Sequence, residues 1–160
     1  MPIKTELEQT LEELGIHDLL EIQKRSIPLI EEGKDVFVKS PTGSGKTLAY
    51  LIPAIERIEP TEMYTKVLII TPTRELALQV ADNAKKLSVR TGTHVVTLIG
   101  GMDINKQMNA LRHRPHILIG TPGRIVDLLN QDCVDLSELS LLIFDEADQI
   151  ISTGQKEETE

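Results

Sequence analysis

Tryptophan is absent from this chain, and among its 160 residues there are only two tyrosines, two phenylalanines and one cysteine, Cys133. With aromatics at 2%, stacking of bases on exposed rings is nearly excluded as a main mode of nucleic-acid recognition. A lone cysteine excludes a disulfide framework and any cysteine-built metal site, and it suits a reducing, cytoplasmic setting. No apolar stretch approaches the roughly 20 residues of a membrane span. The N-terminus, with Glu6, Glu8, Glu12 and Glu13, lacks the basic-then-apolar layout of a signal peptide, so no membrane association is expected. Positive charge is also scarce: the net charge is −8, which excludes a surface that is basic all over and confines any nucleic-acid contact to a local patch.

What is present is the material of one domain. Apolar residues make up 40% of the chain, enough to fill a single core. Short β-branched apolar runs recur at residues 35–39, 66–70, 94–99, 116–119 and 141–144. Between most of them lie helical spacings: Leu7, Leu11 and Leu14, with Thr5 and Glu8 as a capping box; Leu76, Val80 and Leu87; Ile104, Met108 and Leu111; and Ile125, Leu128 and Leu129. Strands alternating with helices specify an α/β fold, a parallel sheet covered by helices on both faces. Residues 1–151 are expected to form this domain and the polar, acidic residues 152–160 a tail.

The unusual segments all fall in loops after the C-terminal ends of these strands, where open parallel sheets bind ligands. Ser40-Pro41-Thr42-Gly43-Ser44-Gly45-Lys46-Thr47 lies between an apolar run and a helical pattern, the context of a phosphate-binding loop. Its glycines let backbone N–H groups curl around phosphate oxygens, and the helix that follows adds its positive end. Lys46 is the candidate for the β- and γ-phosphates, and the Thr47 hydroxyl for Mg²⁺. A glycine-rich turn is the plainer reading of the same residues.

The run at 141–144 is expected to be a buried strand that delivers Asp145, Glu146 and Asp148. Beside a phosphate loop, the first acid after such a strand typically holds Mg²⁺ and its neighbour orients the attacking water. Asp145 and Glu146 are the candidates. The alternative is an acidic start to a solvated helix.

Thr71-Pro72-Thr73-Arg74 and Thr121-Pro122-Gly123-Arg124 read as nearly the same device used twice. Thr and Pro start a helix well, its first N–H groups attract an anion, and Arg supplies charge, so two such starts could hold successive phosphates. Two well-capped helices would explain the same residues. Gly100 and Gly101 offer a place where a nucleic-acid backbone can come close. None of these features reads base edges, so binding is expected to be sequence-independent and salt-sensitive.

Taken in order, these residues resemble the DEAD-box RNA helicase family over about residues 11–148. Ser40 to Thr47 is similar to its motif I, Pro72 to Leu76 to motif Ia, Gly100-Gly101 to its glycine doublet, Thr121 to Arg124 to motif Ib, and Asp145 to Asp148 to the box itself. The resemblance implies a RecA-like P-loop lobe that binds ATP with Mg²⁺. It also implies single-stranded or locally opened RNA on Pro72, Thr73, Arg74, Gly100, Gly101, Thr121, Pro122, Gly123 and Arg124. Gln23 stands where the family reads adenine, and an amide can bond adenine N6 and N7 together. Before it, Leu19-Leu20-Glu21 replaces the usual Pro-Thr-Pro, and Glu6 replaces an aromatic. Asp148 is implied to bond to a Ser-Ala-Thr motif. That motif and the second RecA-like lobe are not in this sequence, so the lobe reads as C-terminally incomplete. Three functions remain open: a lobe that couples ATP hydrolysis to RNA unwinding or remodelling once joined to its partner lobe, nearly inactive alone; a truncated, non-catalytic module that binds nucleotide or RNA; or another P-loop enzyme such as a kinase or a DNA translocase, against which the Thr-Pro-x-Arg pair and the acidic box argue.

Overall fold

The computed structural model describes residues 5–16, 27, 30 and 46–145. In these residues the α/β alternation appears as five helices and four strands. The helices are α1 (Thr5–Glu13), α2 (Lys46–Glu56), α3 (Arg74–Leu87), α4 (Ile104–Leu111) and α5 (Pro122–Asn130). The strands are β1 (Val67–Ile70), β2 (Val95–Leu98), β3 (Ile117–Gly120) and β4 (Leu141–Phe144). The run at 35–39 lies outside the described residues.

All strand pairs are parallel, in the order β2-β3-β1-β4. Because side chains alternate across a strand, the central apolar runs feed two cores. Val67, Ile69, Ile117 and Ile119 meet α1, α2 and α3 through Leu7, Leu51, Ile55, Val80 and Leu87. Leu68, Ile70 and Leu118 face the other way, toward Leu111 of α4 and Ile125 and Leu128 of α5. Such two-sided burial is what makes β1 and β3 continuously apolar.

Four expectations need correction. Strand β4 is half-buried: Leu141 and Ile143 join the first core, whereas Leu142 is 47% and Phe144 39% exposed. Among the described residues it pairs only with β1, and no other element covers its second face. Leu14 falls past the end of α1, beyond the helical turn that buries Leu7 and Leu11, and Leu129 turns to solvent on α5. On α3 the buried stripe runs through Ala77, Ala81 and Ala84 beside Val80 and Leu87, with Leu76 at its margin.

The strand register aligns the loops that follow. Ile70 sits level with Gly120 and Phe144, and Gly120 with Leu98. One residue further on, the ladder continues: Thr71 N–H donates to Gly120 O (2.9 Å), Thr121 N–H to Leu98 O (3.1 Å) and Asp145 N–H to Ile70 O (2.9 Å). Strand ends thus become fixed starting points for the edge.

Candidate nucleic-acid interface

Reading along the edge in strand order gives Gly100 after β2, Thr121 after β3, Thr71 after β1 and Asp145 after β4. Across the first three runs a groove of about 830 Å³, lined by Pro72, Arg74, Gly100, Thr121, Pro122, Gly123 and Arg124 and extended by Val126, Asp127 and Asn130 of α5. Seven residues singled out from sequence therefore meet in one concave surface. Thr73 and Gly101 stand beside it.

The two Thr-Pro-x-Arg turns are built differently. In the first, the chain stays extended through Thr73, which is the N-cap of α3, and its hydroxyl accepts from Leu76 N–H at 3.1 Å. Thr71, fully buried, turns its hydroxyl onto Thr73 O at 3.1 Å. In the second, the helix starts two residues earlier: Thr121 is the N-cap without a side-chain cap bond, and Pro122 opens α5. Arg74 is consequently the first residue of its helix, and Arg124 the third of its own. The α5 start offers the Gly123 and Arg124 N–H groups, which have no acceptor within a helix, toward the groove.

Both arginines lie against the loop that follows β2. Gly101 has φ +78°, and a Cβ placed there would lie 2.6 Å from Arg74 Nη1 and 2.8 Å from its Cζ, so the guanidinium lies against the bare glycine. Arg124 Nη1 donates to Met102 O (3.1 Å) and to Gln107 Oε1 (2.9 Å). Gln107, Met102, Val126, Asp127 and Asn130 carry no motif that marks them in the sequence. Only the helical spacing of the last three from Gly123 could have placed them on the groove side of α5.

At the β4 end of the edge, Asp145 is 6% exposed and its Oδ2 accepts from the Tyr50 hydroxyl at 2.7 Å. Tyr50 lies about one turn beyond Thr47 on α2, so the first turns of α2 and the end of β4 abut. A hydroxyl and a carboxyl oxygen are the hard donors Mg²⁺ takes, and Thr47 and Asp145 carry one of each. Gln23, Ser40, Thr42, Gly43, Ser44, Gly45, Glu146 and Asp148 lie outside the described residues, as does the Lys46 side chain.

A parallel sheet with helices on both faces and its loops gathered on the carboxyl edge is an open α/β lobe, and its likeness to a solved helicase makes it RecA-like. Residues 20–160 match the DEAD/DEAH box helicase family. The chain is 42% identical over 145 residues to the DEAD-box ATP-dependent RNA helicase CshC of Bacillus cereus, a match covering 91% of this chain and 37% of that protein. To the DEAD-box ATP-dependent RNA helicase CshA of Geobacillus kaustophilus it is 35% identical over 158 residues, covering 99% and 34%. The crystal structure of a hypothetical ATP-dependent RNA helicase from Sulfolobus tokodaii is similar at TM-score 0.88 and 38% identity, over 96% of this chain and 44% of that one. The chain belongs to the DEAD/DEAH box helicase family, and it spans about a third of the length of these curated relatives.

Proposed function

We propose that this chain is the ATP- and RNA-binding lobe of a DEAD-box RNA helicase, holding a single RNA strand by its backbone in the groove. The convergence of Pro72, Arg74, Gly100, Thr121, Pro122, Gly123 and Arg124 in that groove carries the reading. Two guanidiniums and one helix start suit successive phosphates, and none of the described residues lining the groove is aromatic. Sequence-independent, single-stranded or locally opened RNA is the ligand this chemistry favours.

ATP belongs at the other end of the same edge. Lys46 would carry the phosphates, Thr47 and Asp145 would hold Mg²⁺, and Glu146 would orient water; Gln23 would read adenine. Bound Mg²⁺ supplies charge neutralisation for the transferred phosphoryl group. Tyr50 holds one oxygen of Asp145 and so limits the directions in which the carboxyl can turn. Thr71 and Asp145 follow the adjacent, register-matched strands β1 and β4. A shift at the nucleotide end therefore has a direct route to the motif that carries Arg74. Joined to a second RecA-like lobe, with Asp148 bonding between motifs, such a lobe would couple hydrolysis to duplex remodelling. An arginine finger is worth about 10³ to 10⁵ in turnover, so the lobe alone should hydrolyse ATP slowly. Among the described residues no helix is long and apolar enough to cross a membrane, and a cytoplasmic setting suits the lone Cys133.

The test is Mg²⁺-dependent ATP hydrolysis and nucleotide binding, with and without single-stranded RNA, using Lys46→Ala as control. Nucleotide binding lost in the control and strengthened by RNA supports the reading. Binding indifferent to Lys46 would refute it.

A further inference from the structure

Gln107 of α4 is a buried polar side chain, 5% exposed, that belongs to none of the recognised motifs. Its Nε2 donates to Ile99 O at 3.0 Å, and its Oε1 accepts from Arg124 Nη1 at 2.9 Å. The chemistry of the two neighbours fixes which way the amide faces. A carbonyl can only accept and a guanidinium can only donate, so the NH₂ group must face Ile99 and the oxygen must face Arg124. Arg124 Nη1 has two hydrogens, and the second goes to Met102 O at 3.1 Å. That nitrogen is then fully used, leaving Nη2 and Nε to face a ligand in the groove.

The same three bonds fasten the β2–α4 loop at both ends, at Ile99 and at Met102, with Gly100 and Gly101 between them. Gly101 in turn lies against the Arg74 guanidinium. One amide therefore joins the loop that carries the glycine doublet to Arg124, and Arg74 lies against that loop. A long, freely rotating arginine would lose this freedom on binding, and the clamp removes most of that loss in advance.

Resting on the reading of the groove as an RNA-backbone site, we infer that Gln107 is a positioning residue for that site: its amide pre-orients Arg124 toward the phosphates and fixes the Gly100-Gly101 loop beside it. It touches no RNA itself.

The experiment is a double-mutant cycle read by fluorescence anisotropy with a labelled oligouridylate, using Gln107→Met, Arg124→Ala and the double variant. Methionine conserves volume in the buried site and removes both hydrogen bonds. Gln107→Met is expected to weaken binding by roughly three- to tenfold, the scale of immobilising one rotamer-rich side chain. In the Arg124→Ala background it should add little. An equal loss in both backgrounds would show a merely structural residue and overturn the inference. So would a Gln107→Met protein that binds normally while Arg124→Ala binds weakly; the groove reading would then survive alone. If neither substitution matters, the groove reading fails and takes the inference with it. Gln107→Glu is the second variant, independent of how Gln107→Met folds. Its carboxylate should keep Arg124 while cancelling its charge and losing the bond to Ile99 O, weakening binding and flattening the salt dependence by about one phosphate contact. An unchanged affinity and slope for Gln107→Glu would also count against the clamp.

Discussion

The Tyr50 hydroxyl donates to Asp145 Oδ2 at 2.7 Å, joining the helix that follows the phosphate loop to the first residue of the acidic box. Both side chains are buried. Hydrogen bonds to charged groups are worth about 1.5–3 kcal/mol. Tyr50→Phe, which deletes only the hydroxyl, should lower unfolding stability by roughly 1–3 kcal/mol in urea titration and weaken Mg²⁺-dependent nucleotide binding. A variant as stable as the parent, with unaltered Mg²⁺ dependence, would show that the bond does not position Asp145.

Gly101 is required twice, by its left-handed backbone and by the guanidinium laid against it. A side chain in that conformation costs about 1–2 kcal/mol. The Arg74 end group is flexible and can move aside, so Gly101→Ala should still fold, with a lowered melting temperature and Arg74 displaced. RNA affinity should fall more than the stability loss explains, which anisotropy under fully folded conditions would reveal.

The unequal construction of the two Thr-Pro-x-Arg turns predicts unequal mutants. Thr73→Ala removes a real cap bond to Leu76 N–H and should cost about 1 kcal/mol. Thr121 makes no side-chain cap bond, so Thr121→Ala should cost only a few tenths of a kcal/mol of helix stability. Thermal melts of the two variants side by side check this.

His116 lies fully buried at the opposite end of β3. Its Nε2 is 3.0 Å from Glu62 O, which can only accept, so this nitrogen carries the proton and Nδ1 accepts from His94 N–H at 2.9 Å. Burial lowers its pKa below the ordinary 6.5; the Glu62 carbonyl opposes this, the stacked His94 ring adds to it, and Pro60 O opposes it again. With the folded value depressed, the unfolded chain binds the proton more readily. This contribution is therefore intact above about pH 6.5 and is lost as pH falls toward the folded value, at up to about 1.4 kcal/mol per pH unit. Urea midpoints at about pH 7.5 and about pH 5.5 should differ more for the parent than for His116→Gln.

Much of this was legible in sequence because it depends on local pattern. The continuous apolar runs of β1 and β3 announce two-sided burial, and the loop residues announce themselves by type. What escaped depends on distant partners. The Gln107 amide reads as one polar residue on a helix until Ile99 O and Arg124 are brought to either side of it. Tyr50 reads as a core aromatic until β4 delivers Asp145. Pro53 would ordinarily end a helix, yet α2 runs through it, since Leu51, Ile52, Ala54 and Ile55 around it are all fully buried. The half-exposure of β4 is not legible because Leu141-Leu142-Ile143-Phe144 carries no sign of which face is covered.

The central claim, that Arg74 and Arg124 hold RNA phosphates, is tested most directly by the salt dependence of single-stranded RNA binding. For single strands each phosphate contact contributes a slope of about 0.7 in log K against log salt. The protein carrying Arg74→Ala and Arg124→Ala together should bind more weakly, with a slope shallower by about 1.4. Unchanged affinity with parallel slopes would contradict the claim and leave the groove without its ligand.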